Sequence, residues 1–318
     1  MMRFFSARCN SVARLDGKTA VITGANTGIG KCTAKDFFER GARVILACRN
    51  EGKGQQALTD IQESCGGREN VGYLKLMHLD LSSLKSVRAF AAKVIDSENK
   101  IDLLINNAGV MMCPESRTED GFEMQFGTNH LGHFLLTLLL LPKICQSVPA
   151  RIVNVSSVAH CVPSSIDLSD LNWNSRPYSA IGAYQQSKLA NVLFTKELAR
   201  KLKENNIENV TVYSLHPGII KTELGRHLRL RWLWSIVGKF LLKNPEQGAQ
   251  TQIYCAVDEN CASESGLYYS DCKVAQPSTL ARNEEIAKKL WDESLKLVGF
   301  EEIYCFQELK SISIGSNF

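Results

Sequence analysis

No segment of this 318-residue chain is uniformly apolar for long. A membrane-crossing helix needs roughly 18 uninterrupted apolar residues, and the nearest approach, Leu131–Leu141, is shorter and carries His133. That stretch reads as a buried helix. Net charge is also scarce: 37 basic residues against 33 acidic ones leave +4, too little for an electrostatic nucleic-acid binder. None of the eleven cysteines forms a Cys-x-x-Cys pair, so no zinc-type cluster or other metal site is expected. An odd count without framework spacing points instead to free thiols in a reducing compartment. Internal repeats, low-complexity tracts and linkers are missing too.

What is present suits one large α/β domain, with 44% of residues hydrophobic and 22% charged. The domain is expected over residues 16–300, between a basic N-terminal tail (1–15) and a C-terminal tail (301–318). Residues 1–15 hold Arg3, Arg8, Arg14, Ser6 and Ser11 and no acid. Two readings of them stand, a frayed tail and a mitochondrial presequence. Short β-branched runs at Thr19–Thr23, Arg43–Ala47, Leu74–Leu79, Ile101–Ile105, Arg151–Val155 and Val210–Leu215 predict strands. Helical spacing falls between them, as at Ile29–Arg40, Leu84–Ile95 and Ala183–Leu202. Strands separated by helices pair in parallel, through right-handed crossovers that cover both faces, which predicts a doubly wound sheet. A further strand is expected at Gly266–Tyr269 and a last amphipathic helix at Arg282–Val298. Residues 158–180 and 222–246 break the pattern after the fifth and sixth strands. Segments there border the ligand crevice of an open α/β sheet.

The first strand runs into Thr23-Gly-Ala-Asn-Thr-Gly-Ile-Gly30 and then a helix. Gly24, Gly28 and Gly30 permit a tight turn and close backbone approach. Asn26, Thr27 and Ile29 complete a loop that offers free N–H groups and a positive dipole end to a pyrophosphate. The strand–turn–helix context lifts this string above a chance match. The second strand ends at Cys48-Arg49-Asn50. An Arg there pairs with a 2′-phosphate, where an acid would take the ribose hydroxyls, so Arg49 favours NADP(H), with Asn50 beside it. Glu51 is close enough to leave NAD(H) open.

Hydride transfer at a carbinol carbon requires a positioned proton donor or acceptor. Tyr184 and Lys188 lie four apart in a helical segment, on one face. An ammonium near a phenol stabilises the phenolate and lowers its pKa. The spacing alone is weak evidence among 8 tyrosines, and Tyr269 and Lys273 repeat it. That second pair falls on a strand and a turn, where residues four apart are not neighbours. Tyr184 is preferred because Arg151-Ile-Val-Asn-Val-Ser-Ser157 precedes it at a strand end, where the Ser157 hydroxyl can orient a substrate oxygen. His130 and His133 read as packing residues.

The Gly-x-x-x-Gly-x-Gly spacing, with these residues, resembles the short-chain dehydrogenase/reductase family over roughly residues 16–300. The nearest branch is that of the retinol dehydrogenases. Matching strings include Leu46-Ala-Cys-Arg49, Ile105-Asn-Asn-Ala-Gly-Val-Met111, Asn129-His-Leu-Gly-His-Phe-Leu-Leu-Thr137, Ser187-Lys-Leu-Ala-Asn191, Leu215-His-Pro-Gly218 and Thr222-Glu-Leu224. The resemblance implies a Rossmann-like fold. It implies that Asp80 and Leu81 border the adenine, that Asn107, Ala108 and Gly109 let the backbone pass the adenosine, and that Pro217 and Gly218 lie beside the nicotinamide. Tyr184 and Lys188 would contact the cofactor as well as the substrate. Asn129 would help to hold a water near the lysine for proton relay.

The function implied is interconversion of a lipophilic alcohol and its aldehyde, retinol and retinal foremost. Two alternatives remain at this stage: a carbonyl reductase of steroids, lipid aldehydes or xenobiotics, and a non-catalytic NADP sensor or scaffold. The expected partner is a small lipophilic substrate, and a homodimer stays open. Residues 1–15 are too short and too charged for the apolar anchor of membrane-bound members of the branch. Membrane contact would then fall to residues 230–243, which read as an interfacial helix or as a lid over an apolar substrate. The compartment expected is intracellular, either at the endoplasmic reticulum membrane or in mitochondria.

Overall fold

Continuous apolar strands such as Thr19–Thr23 bury both of their faces, which an alternating polar strand cannot do, and so belong inside a covered parallel sheet. The computed structural model, which describes residues 7–147, 149–220 and 243–301, places them there. The strands are β1 (Thr19–Thr23), β2 (Arg43–Cys48), β3 (Tyr73–His78), β4 (Leu103–Asn106), β5 (Ala150–Val155), β6 (Val210–His216), β7 (Leu267–Ser270) and β8 (Lys273–Val274). They form one sheet in the order β3-β2-β1-β4-β5-β6-β7-β8. All neighbours pair in parallel except β7 and β8, which form an antiparallel edge.

The helices are α1 (Gly28–Glu39), α2 (Glu51–Ser64), α3 (Leu84–Ser97), the single turn α4 (Met124–Phe126), α5 (Gly132–Cys145), α6 (Ala180–Glu204), α7 (Pro245–Val257) and α8 (Glu284–Val298). Alternation along β1 divides the core. Ala20 and Ile22 join Phe37 of α1, Ile61 of α2 and Ile253 of α7 on one face. Val21 joins Phe90 of α3, Phe134 of α5, Leu193 of α6 and Trp291 of α8 on the other. The chain winds outward in opposite directions from β1 and β4, and that reversal opens a crevice at their C-terminal ends.

Three local features differ from the sequence-based expectation. β4 starts at Leu103 because the Asp102 carboxylate caps the sheet: it accepts the Thr19 N–H at 2.8 Å and pairs with Lys18 at 2.9 Å. The helix expected from Leu131 is entered through a π-helical turn, Gly127–Leu131. Residues 8–15 lie against the fold. The Cys9 N–H donates to Gln250 of α7 (3.1 Å), and the Arg40 guanidinium donates to the Ser11 and Ala13 carbonyls. Among the described residues no helix is long and apolar enough to cross a membrane, and all ten cysteines are free thiols. The segment 230–242, read as lid or interfacial helix, lies outside the described residues.

Three imidazoles are held neutral. Burial pulls His130 down to about 3, and His133 and His216 to about 4. In the unfolded chain each takes up a proton near pH 6.5. From roughly pH 6.5 down to 4 the unfolded state therefore binds more protons, and stability is lost as pH falls. Thermal unfolding followed by circular dichroism is expected to show a midpoint that drops through this window. His130→Gln is expected to make the drop shallower; an unchanged slope would rule out that histidine as a contributor.

Candidate active site

The turn after β1 is shaped by what it must approach. A Cβ on Gly24 would sit 3.0 Å from the Ala108 Cα, and one on Gly30 would sit 2.6 Å from the Gly24 carbonyl oxygen. Gly24 and Gly28 also hold positive φ, +66° and +56°. The turn and the loop after β4 are tied together. The Asn107 and Ala108 N–H groups each donate to the Thr23 hydroxyl at 2.9 Å, and the Asn107 amide donates to the Thr23 carbonyl at 2.8 Å.

Helix α1 begins at this turn with Thr27 in the capping position, yet the Thr27 side chain caps nothing and the first turn holds no acid. Its N–H groups and positive dipole end are left for an anion. At the end of β2 the Arg49 side chain is 59% exposed and stands 3.9 Å from Asp80, while Asn50 caps α2. The Asp80 carboxylate accepts from both the N–H and the hydroxyl of Ser82, and Leu81 is buried. Pro217 is buried, and Gly218, at φ +97°, begins the segment after β6. The uncapped helix, the glycine-lined approach and the strand-end loops together fit a nicotinamide dinucleotide.

Tyr184, Lys188 and Asn129 are all buried close together. The Lys188 ammonium nitrogen is 5.7 Å from the centre of the Tyr184 ring and donates to the Val155 carbonyl at 3.1 Å. A Cβ on Gly109 would lie 3.1 Å from Asn129 Oδ1 and 3.6 Å from Lys188 Nζ, so the loop passes close against both side chains. Ser157 caps the short 3₁₀ turn Val158–Cys161 at the end of β5, its hydroxyl accepting the Ala159 N–H at 3.2 Å, and it lies near enough to the Tyr184 phenol to favour the phenolate. Ser156 instead donates to the Lys188 carbonyl at 2.7 Å, fixing the helix.

The electrostatics differ from the expectation that Lys188 lowers the Tyr184 pKa. Burial dominates both groups. It pushes Tyr184 up to about 12, with the Ser157 hydroxyl pulling it partly back, and it lowers Lys188 to about 8. At neutral pH the site therefore holds a phenol with its proton on, beside an ammonium. The Asn129 amide is fully engaged. Its nitrogen donates to the Val110 carbonyl and to the Ser187 hydroxyl, both at 2.9 Å, and its oxygen accepts the Val110 N–H at 2.8 Å. A water near it would meet carbonyl oxygens rather than the amide N–H.

The rejected pair is separated as expected: Tyr269 is buried in β7 and bonded to Glu264, whereas Lys273 lies exposed in β8. Two histidines, His133, read from the sequence as a packing residue, and His160, which that reading did not single out, touch these groups. His160 Nδ1 donates to the Ser157 carbonyl at 2.7 Å, and its Nε2 accepts the Ser278 N–H at 3.2 Å. His133 bonds both Thr23 and the Asn129 carbonyl. Spacing carries no sign of the second bond of each, because Thr23 and Ser278 lie 110 and 118 positions away.

Known proteins resemble the chain at every level of comparison. The short chain dehydrogenase family matches residues 18–169. Retinol dehydrogenase 13 of Homo sapiens is 52% identical over 299 residues, covering 92% of this chain and 88% of its own. Retinol dehydrogenase 11 of Homo sapiens is 52% identical over 295 residues, covering 92% and 90%. Among solved structures, an uncharacterized protein from Mycobacterium Paratuberculosis superposes with a TM-score of 0.73 at 36% identity, covering 92% of this chain and 98% of its own. The Pseudomonas aeruginosa RhlG/NADP active-site complex reaches 0.63 at 25% identity, covering 80% and 94%. With half its residues shared along nearly its whole length, and with the cofactor turn and the buried Tyr184–Lys188 site in place, the chain belongs to the short-chain dehydrogenase family, in the branch of the retinol dehydrogenases, and is an oxidoreductase.

Proposed function

We propose that this enzyme interconverts a lipophilic alcohol and its aldehyde, retinol and retinal first among them, with NADP(H) as its cofactor and Tyr184 as its acid and base. The substrate reading rests on the 52% identity to retinol dehydrogenases 11 and 13. The observation that carries the mechanism is the buried phenol of Tyr184, with the Ser157 hydroxyl near it and the Lys188 ammonium 5.7 Å from its ring centre.

The dinucleotide would lie with its pyrophosphate on the turn Gly24–Gly30 and the N-terminus of α1. Asn50, Asp80, Leu81 and residues 107–109 would border its adenosine, with Pro217 and Gly218 at the other end. Bound there, the nicotinamide supplies or accepts the hydride. The remaining chemistry belongs to the chain. The Ser157 hydroxyl orients the substrate oxygen toward Tyr184. In reduction the Tyr184 O–H gives its proton to that oxygen; in oxidation the phenolate takes it back. The Lys188 ammonium stabilises the phenolate as it forms, at a place where water offers little competing solvation. Asn129 clamps Val110 and Ser187, holding the Gly109 backbone against the lysine. The acting unit is residues 16–300, in an intracellular setting.

NADP(H) is favoured because the Arg49 guanidinium is exposed at the end of β2, with only a long 3.9 Å contact to Asp80. It is free to form charge-assisted bonds with a 2′-phosphate.

Purified enzyme is expected to reduce retinal with NADPH in preference to NADH. Tyr184→Phe should cut turnover by about a hundredfold or more while NADPH still binds in a fluorescence titration; turnover equal to the parent would refute Tyr184 as the acid. Arg49→Asp should weaken NADPH by about tenfold to a hundredfold, the worth of a charged hydrogen bond, and leave NADH little changed. Equal losses for both cofactors would refute the 2′-phosphate contact.

A further inference from the structure

One buried chain of hydrogen bonds is not used by the proposed proton transfer, yet it joins the cofactor turn to the Tyr184 helix. The Thr23 hydroxyl meets His133 Nε2 at 2.8 Å, and His133 Nδ1 meets the Asn129 carbonyl at 3.0 Å. From Asn129 the amide nitrogen donates to Ser187 Oγ at 2.9 Å, and Ser187 donates to the Tyr184 carbonyl at 2.8 Å. Thr23, Asn129 and Ser187 are wholly buried and His133 is 2% exposed.

The Asn129 carbonyl and the shorter of the two Thr23 contacts settle the protons: the Thr23 hydroxyl lies 2.8 Å from His133 Nε2 against 3.4 Å from the Ile105 carbonyl. The Asn129 carbonyl only accepts, so His133 Nδ1 carries the hydrogen. A neutral ring then leaves Nε2 as an acceptor, and Thr23 must donate to it. The Thr23 oxygen keeps its lone pairs for the Asn107 and Ala108 N–H groups, each 2.9 Å away. No donor or acceptor along this path conflicts with its neighbour.

We propose that His133 is a positioning residue, a neutral imidazole of fixed tautomer that couples the dinucleotide-binding turn to the backbone of Tyr184. The proposal rests on the reading of Tyr184 as the acid. Few side chains could take its place. The position needs one acceptor and one donor on opposite sides of a rigid ring: Lys offers no acceptor, and Leu or Phe offers neither. Asn reaches only the Asn129 end, because its Nδ2 falls where the imidazole Nδ1 does. Gln reaches only the Thr23 end. A dinucleotide that settles the turn after β1 thereby also settles Asn129 and the helix carrying Tyr184 and Lys188. Loss of the ring should lower the rate of the chemical step rather than the binding of the aldehyde.

The test uses the full-length enzyme and three readouts: NADPH dissociation constant by nicotinamide fluorescence, kcat and KM with all-trans-retinal, and thermal midpoint. His133→Leu is expected to lower kcat by about tenfold to a hundredfold, the cost of a slightly misplaced reacting group, with KM for retinal within about twofold. His133→Asn should regain most of kcat but bind NADPH more weakly. His133→Gln should regain NADPH binding but not kcat. Thr23→Val should weaken NADPH binding in the parent and by less in His133→Asn, since the two share one bond while the Asn107 and Ala108 N–H groups lose their acceptor in both backgrounds. Parental kcat per folded molecule in His133→Leu would overturn the proposal. So would equal rescue by Asn and Gln, which is what a packing role alone predicts, or fully additive effects of Thr23→Val and His133→Asn. The NADPH measurements need no turnover, so they still report on Thr23 and His133 if Tyr184→Phe were to remain active.

Discussion

The Thr23 hydroxyl is where the two halves of the sheet are held to one another. It sits at the end of β1, fully buried, and two consecutive backbone N–H groups from the loop after β4 converge on it. β1 and β4 are the strands between which the winding reverses, so the loops that leave them part on either side of the crevice. The β1–β4 ladder ends at Ile22 and Ile105, and beyond it these bonds, with the Asn107 amide on the Thr23 carbonyl, carry the tie on into the glycine turn and the loop that passes Lys188. A glycine stands at each close approach, Gly24 against the Ala108 backbone and Gly109 against the Asn129 and Lys188 side chains.

Burial sets the chemistry at the other end of the crevice. An ammonium and a phenol withdrawn from water both favour their neutral forms, which raises Tyr184 and lowers Lys188. The folded protein tolerates the lysine because its charge is met by the Val155 carbonyl, and the same carbonyl accepts from the Asn191 amide at 3.2 Å. Such an arrangement costs stability and suits a proton donor. The phenol keeps its proton at neutral pH, and the phenolate left after transfer finds a cation already in place.

Much of the architecture was readable from the chain because its signals are local. The strand β1 and the start of β6 coincide with their β-branched runs, and α3 and α8 with their apolar periodicity, to within two residues at most ends. The Tyr184–Lys188 pair was separable from its copy at Tyr269 and Lys273 by its helix context and by the strand end at Ser157 upstream of it. Less readable were features made by contacts between distant segments. The π-turn around Asn129 has no composition of its own; it exists where α5 must cross behind the loop after β4. Residues 8–15 look like a tail by charge, yet Arg40 and Gln250 hold them down from two helices. His133 and His160 look like core residues and are buried as such, but their ring nitrogens find partners 110 and 118 positions away.

The sequence by itself determined the doubly wound sheet, the glycine turn after β1 and the helical placement of Tyr184 and Lys188 on one face. Each depends on residues within one or two turns of each other, where periodicity, glycine spacing and helix geometry act directly. Only the tertiary structure decided the direction of the pKa shifts and the tautomer of His133, since these depend on how completely water is removed and on which carbonyl meets which ring nitrogen. A lysine four residues from a tyrosine promises a stabilised phenolate; the burial of both is what pushes the phenol up and the ammonium down instead.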